Sequence, residues 1–399
     1  MQDVQDRQDD LPSLEVENVL DEAGRRSGGL SDFGEGSFQE GLTRLLDSLE
    51  RDGRLNPIGR VIARERALLH TVNRLQYVND RRRFPEIAKQ KIEKPIFIIG
   101  MPRTGTTILH DILAQDPRSR APLTWETMFP SPPPETESFE TDPRIEACDA
   151  TFPSVEAQIP AFKAMHPMGA RLTQECVTMM GETMITPLFH NQFRVPSYQD
   201  WCDYEADWSE VYAFHQRQLQ HLGSRHMGDR WVLKTGAHLW GLEHLLRTYP
   251  DARIVFTHRD PVKSMTSYAS LTALVRSMGS DQVDPIEIAT DWTARIKRVL
   301  EHAIEVRSQG HYPDALFYDM QFPEFVRDQW SEVEKIYAAF DLPMSETGAQ
   351  AMKAFIADNP KGKHGIHRYA PEEYGIVPEA IRDAFRPYIE RFDLAPESS

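Results

Sequence analysis

Residues 96–107, "IFIIGMPRTGTT", join a short apolar run to a turn punctuated by two glycines. The run has the length and character of a strand buried on both faces of a parallel sheet. After the turn, "TTILHDILAQDP" continues as a helix, with Ile108, Leu109, Ile112 and Leu113 on its inner face. A glycine turn between a buried strand and a helix aims several backbone N–H groups at one point, where the helix dipole adds partial positive charge. Such a turn suits a phosphate or sulfate. The spacing Gly100-x-x-x-x-Gly105 is that of the nucleotide loop GxxxxGK[ST], but Thr106 stands where the lysine should be and Thr107 supplies the last hydroxyl. The cation in the loop is Arg103. In an ATPase the missing lysine bridges the β- and γ-phosphates. Its absence argues against ATP hydrolysis and for a nucleotide with one 5′-phosphate whose other substituent is transferred.

Downstream, "RWVLK" (230–234), "ARIVFTH" (252–258) and "ALFYDM" (315–320) read as further strands, with helical patterns in "LWGLEHLLRTYP" and "PEFVRDQWSEVEKIYAAF". Strands alternating with helices predict an α/β fold, a doubly wound and mostly parallel sheet carrying a P-loop-like turn. Upstream, residues 1–38 are polar and read as loosely ordered, and 39–93 as a helical lead segment with leucines at helical spacing in "LTRLLDSLERDGRL". The main domain then runs over 94–399. Within it, 129–228 comprises the proline-rich acidic loop "FPSPPPETESFETDP" (129–143) and a largely helical insertion.

Composition narrows the partners. The chain has 399 residues, 27% of them charged, and a formal net charge of −16, which disfavours non-specific binding to nucleic acid or to an anionic membrane. An anionic ligand must therefore be caught by a local cluster of cations and amides. The three cysteines, Cys148, Cys176 and Cys202, have no CxxC spacing and suit neither a disulfide framework nor a zinc site. The opening "MQDVQDRQDDLPSLEVE" lacks the features of a signal peptide, and no apolar stretch is long enough to span a bilayer. The expectation is a cytoplasmic protein with no membrane span. HExxH, EF-hand and GxSxG patterns are missing, so neither a metal nor a serine nucleophile is expected.

A second signal is "ARIVFTHRDPVKSMTSY" (252–268): a strand ends at Arg259, a proline turn follows, and Ser267 lies eight residues on. An arginine at the C-terminal edge of a strand points into the crevice where α/β folds bind ligands. Its planar fork suits a phosphate, and a serine two helical turns later can reach the same anion. With "PRTGTT" (102–107), this segment resembles the sulfotransferases that use 3′-phosphoadenosine 5′-phosphosulfate (PAPS), chiefly the bacterial branch acting on small molecules. In that family a loop of the form PRSGTT binds the 5′-phosphosulfate and "RDP…S" binds the 3′-phosphate. The resemblance covers most of 94–392 and includes "HPMGARLTQEC", "RVPSYQDW" and "WVLKTGAHL". It implies that Arg103, Thr104, Gly105, Thr106 and Thr107 hold the 5′ end, and Arg259 and Ser267 the 3′-phosphate. It further implies that Tyr318 contacts adenine and that the basic run Lys361, Lys363, His364, His367 and Arg368 closes over the nucleotide.

Sulfuryl transfer requires an aligned acceptor hydroxyl, a base for its proton and positive charge at the leaving phosphate oxygen. Arg103 and the loop amides can serve the leaving group, and Lys234 projects from a strand end toward the same crevice. For the base, the resemblance puts Glu126 in "LTWETMFP" first; His166, Glu175 and His238 are the competitors. The acceptor pocket is expected from 129–228 and the basic segment. Its candidates include Met165, Met168, Met179, Met180, Phe189, Phe193, Tyr198 and Trp201, although such a set at helical spacing is more often plain core. The expected acceptor is a small, partly apolar molecule with a hydroxyl, and the resemblance mildly implies a homodimer. A nucleotide kinase or NTPase on the same fold, or a non-catalytic nucleotide-binding regulator, are the other readings.

Overall fold

The computed structural model describes residues 11–153, 168–360 and 370–397. Its centre is a sheet of five parallel strands: β1 (Ile96–Gly100), β2 (Ser119–Arg120), β3 (Arg230–Lys234), β4 (Arg253–His258) and β5 (Phe317–Gln321), in the order β2-β3-β1-β4-β5. The fold is α/β and doubly wound, as the alternation of elements predicts.

The apolar runs form central strands because helices cover both faces of the sheet. In β1, Phe97 and Ile99 enter one hydrophobic core while Ile96 and Ile98 enter another. The same period-two split places Ile254 and Phe256 of β4 in the first core and Val255 in the second. The second core is closed by the helices Thr106–Leu113, Gln329–Ala339 and Glu346–Asp358. β1 connects toward β2 on one side and β4 toward β5 on the other, so the winding reverses between β1 and β4. That is where a crevice opens in this architecture.

One expectation about organisation changes. Helix Val16–Arg26 lies in the segment read as loosely ordered, because Val19 and Ala23, one turn apart, are fully buried. The lead helices Phe38–Asp52 and Pro57–Arg83 pack into the sheet's own core: Leu42, Leu45, Leu46, Leu49, Leu68 and Leu75 share the first core with Phe97 and Ile99. Met179, Met180, Phe189, Phe193, Tyr198 and Trp201 of the insertion lie in that core too, so they serve packing. Arg74 ties lead and insertion together, donating to the carbonyls of Phe33 at 2.7 Å and Glu182 at 3.0 Å, between the rings of Phe38 and Phe214. Among the described residues no helix is long and apolar enough to cross a membrane.

Candidate active site

The loop leaves β1 through Gly100, which lies so close to β4 that a side chain there would fall 2.3 Å from the Thr257 hydroxyl. Thr104 is fully buried, and its hydroxyl lies 2.5 Å from that of Thr257. The two are anchored to the carbonyls of Met101 (2.7 Å) and Ile99 (3.1 Å). Thr104 therefore braces the loop against β4. Arg103 and Gly105 both adopt left-handed backbone, at φ 68° and 84°, and helix Thr106–Leu113 starts directly after them. Gly105 also abuts Phe322, whose ring would be 2.9 Å from an added Cβ. This left-handed turn at a helix start is the geometry in which successive amides converge on an anion. Thr106 is buried, whereas Thr107 is open to solvent.

β4 delivers Arg259 to the same place. Its Nη1 donates to the Arg103 carbonyl at 2.7 Å, and its guanidinium stacks on Phe322 at 4.1 Å. The other edge of the fork, Nε and Nη2, holds both carboxylate oxygens of Glu397 at 2.8 and 3.0 Å. The geometry is the bidentate one that an arginine offers a carboxylate or a phosphate. Asp260 caps the helix Pro261–Arg276, accepting from the Val262 N–H at 2.9 Å. Two turns along that helix, Ser267 accepts from Arg103 Nε at 3.1 Å. Arg103, Arg259 and Ser267, separated in sequence, thus meet at the β1/β4 switch point.

On the β3 side, Lys234 lies beside the strand end. Its ammonium donates to Thr107 Oγ1 at 3.0 Å and forms an ion pair with Glu175 Oε1. The lysine side chain is 3% exposed and that of Glu175 27%, so the carboxylate is the member of the pair that faces outward.

Glu126 departs from its expected role. Its side chain has no exposure; Arg120 grips both oxygens, and the Leu123 N–H adds a bond at 2.9 Å. In this structure the carboxylate is held by three hydrogen bonds and sealed from solvent, so it is not presented to an acceptor hydroxyl. Its place is structural. The turn it holds presents the backbone N–H groups of Thr124 and Trp125 to the carbonyls of Leu172 and Ala170, at 2.9 and 3.0 Å, and so fixes the segment that leads into Glu175. His238 is likewise interior: its Nδ1 meets the Tyr212 hydroxyl at 3.0 Å, and burial holds its pKa well below the usual histidine value. Tyr318 lies opposite Val255, before the end of β4, with its ring against the second core and its hydroxyl donating to Glu332 at 2.9 Å. The structure does not bring it to the strand ends. Met165, His166, Lys361, Lys363, His364, His367 and Arg368 lie outside the described residues. Phe322 and Glu397 were not foreseen. Phe322 follows β5 directly, and only the fold puts it under Arg259.

A model of the sulfotransferase family matches residues 95–346, a span that includes β1, the loop, Lys234, Arg259 and Ser267. The chain belongs to the sulfotransferase family. It is 25% identical over 303 residues to the omega-hydroxy-beta-dihydromenaquinone-9 sulfotransferase Stf3 of Mycobacterium bovis, covering 72% of this chain and 73% of that protein. Among solved structures it is similar to the sulfotransferase STF1 of Mycobacterium tuberculosis, with a TM-score of 0.83 at 31% identity, over 94% of this chain and 98% of that one. STF9 of Mycobacterium avium gives a TM-score of 0.89 at 28% identity, over 97% and 99%. The structural matches extend well beyond the family span, so this sulfotransferase shares its lead helices with those neighbours. It is an enzyme of sulfate transfer.

Proposed function

We propose that this sulfotransferase takes its sulfuryl group from PAPS and passes it, in line, to a hydroxyl of a small, partly apolar molecule. The observation that supports the reading is the position of Arg259: one edge of its fork bonds the Arg103 carbonyl in the glycine turn, and the other holds a carboxylate, that of Glu397, in bidentate geometry. The loop amides, Arg103 and Thr107 bind the 5′ end, and Arg259 with Ser267 binds the 3′-phosphate.

Glu175 takes the proton from the acceptor hydroxyl as its oxygen bonds to sulfur. The bond from sulfur to the 5′-phosphate oxygen breaks, and 3′-phosphoadenosine 5′-phosphate leaves. Lys234 and Thr107, already 3.0 Å apart, face the charge that grows on the leaving oxygen. Fixed charges and dipoles aimed at that point supply the main electrostatic part of such catalysis. The ion pair with Lys234 also holds the Glu175 side chain in one orientation before any acceptor arrives. The named substrate of the mycobacterial relative carries its hydroxyl on a largely apolar molecule, which favours an acceptor of that character here. The three described cysteines are free and buried, which fits a cytoplasmic enzyme.

Calorimetric titration with 3′-phosphoadenosine 5′-phosphate, AMP and ATP–Mg²⁺ tests the donor. A strong preference for the 3′-phosphorylated ligand is expected. Preference for ATP–Mg²⁺ would replace the reading with that of a kinase.

A further inference from the structure

We infer that Glu397 is an internal competitor for the 3′-phosphate, an acidic side chain that the donor nucleotide must displace in order to bind. The inference rests on the reading of Arg259 as the arginine of the 3′-phosphate site. Two consecutive residues grip Glu397. Arg259 takes its carboxylate through Nε and Nη2, and Asp260 Oδ2 accepts its backbone N–H at 2.9 Å. Both side chains of the ion pair are mostly covered, at 16% and 22% exposure, and Phe322 closes one face of the guanidinium. A surface ion pair with free rotation would be worth little. This one has fork-on-fork geometry and an anchored backbone, so it holds the arginine more firmly than a freely rotating pair would.

The tether is short. Leu394 is buried in the first core and its N–H donates to the Ile389 carbonyl at 3.0 Å, which leaves only Ala395 and Pro396 between a fixed point and the carboxylate. Release therefore needs only a local swing of the segment after Leu394. Arg259 Nη1 stays engaged with the Arg103 carbonyl whichever anion holds the other edge, so the exchange leaves the loop undisturbed. A phosphate dianion has the stronger claim on the fork. A nucleotide with a bare 3′-hydroxyl has no group to take the carboxylate's place and leaves it seated. The competition thus falls on 3′-phosphorylated nucleotides alone, whose apparent affinity is lowered by the fraction of molecules with Arg259 free.

The test is calorimetric titration of the full chain with 3′-phosphoadenosine 5′-phosphate and with adenosine 5′-phosphosulfate, for the wild type, Glu397→Ala, Glu397→Gln, Arg259→Ala and the double variant Arg259→Ala/Glu397→Ala. Both Glu397 variants should bind 3′-phosphoadenosine 5′-phosphate roughly tenfold more tightly and adenosine 5′-phosphosulfate unchanged, and the gain should vanish without Arg259. If the Glu397 variants bind the 3′-phosphorylated ligand no better than wild type while Arg259→Ala binds it worse, the competitor is disproved and the donor site stands. If Arg259→Ala leaves that affinity unchanged, the donor-site reading itself fails and takes the competitor with it.

Discussion

Arg103 Nε donates to Ser267 Oγ across 3.1 Å, joining two residues 164 positions apart in the chain. The first belongs to the turn assigned to the 5′ end of the donor, the second to the helix assigned to its 3′-phosphate. The two subsites are therefore one structure. Ser267→Ala should weaken binding of 3′-phosphoadenosine 5′-phosphate roughly tenfold, with a smaller loss for adenosine 5′-phosphosulfate as Arg103 loses its anchor. Arg259→Ala should instead cost the 3′-phosphorylated ligand on the order of 10²-fold and nearly spare the other. Titration of both ligands decides; equal losses in Arg259→Ala would remove it from the 3′-phosphate.

The two glutamates should separate cleanly. Glu175→Gln is expected to lower turnover by about 10²-fold or more with nucleotide affinity nearly intact. Glu126→Gln should act on stability, because it strands the Arg120 guanidinium at 6% side-chain exposure; losing one partner of a buried pair costs about 3–5 kcal/mol. Thermal melts beside steady-state kinetics distinguish the roles. A Glu126→Gln protein of normal melting temperature and lost turnover would reverse them.

Lys234→Met keeps an unbranched side chain only one atom shorter but removes its charge beside Thr107 and Glu175. Turnover should fall about 10²-fold, as when one preorganised oxyanion donor is deleted, with little change in acceptor KM. A rise in KM at constant kcat would assign the lysine to ground-state binding.

Acid should unfold this protein early. Burial lowers the pKa of His110, His190 and His221 to about 4 and that of His215 to about 3, against an ordinary value near 6.5. Each imidazole therefore binds its proton more readily in the unfolded chain. Their contribution is fully present above about pH 6.5 and is lost as the pH falls toward the folded values, by about 1.4 kcal/mol per pH unit for each imidazole. The melting temperature should drop steeply between pH 7 and 5. A flat profile over that range would show that these rings are protonated in the folded state as well.

The sheet was largely legible because β1, β3 and β4 are covered on both faces and so read as unbroken apolar runs. β2 escaped notice, since Ser119–Arg120 is too short to carry a pattern and exists only through its pairing with Arg230 and Trp231. Arg103, Arg259 and Ser267 could be picked out because a glycine turn and a strand-end arginine bear local signatures. The pairing of Glu126 was hidden because its partner Arg120 is six residues away, and neither spacing nor composition says that a carboxylate is already taken. Glu175 could be named but not ranked: its relation to Lys234 depends on backbone bonds between 122–125 and 170–174. Glu397 sits in a short stretch, "APES", whose meaning comes wholly from Arg259.

The first core takes no notice of the boundary at residue 94. Leucines from the lead helices share a core with Phe97 and Ile99, the strand residues that precede Gly100 and its turn. The chain is thus not a catalytic module with a detachable preface. A fragment begun at that boundary would open the floor beneath its own loop to water. For anyone exchanging parts between such enzymes, the smallest portable piece is the lead and the sheet together.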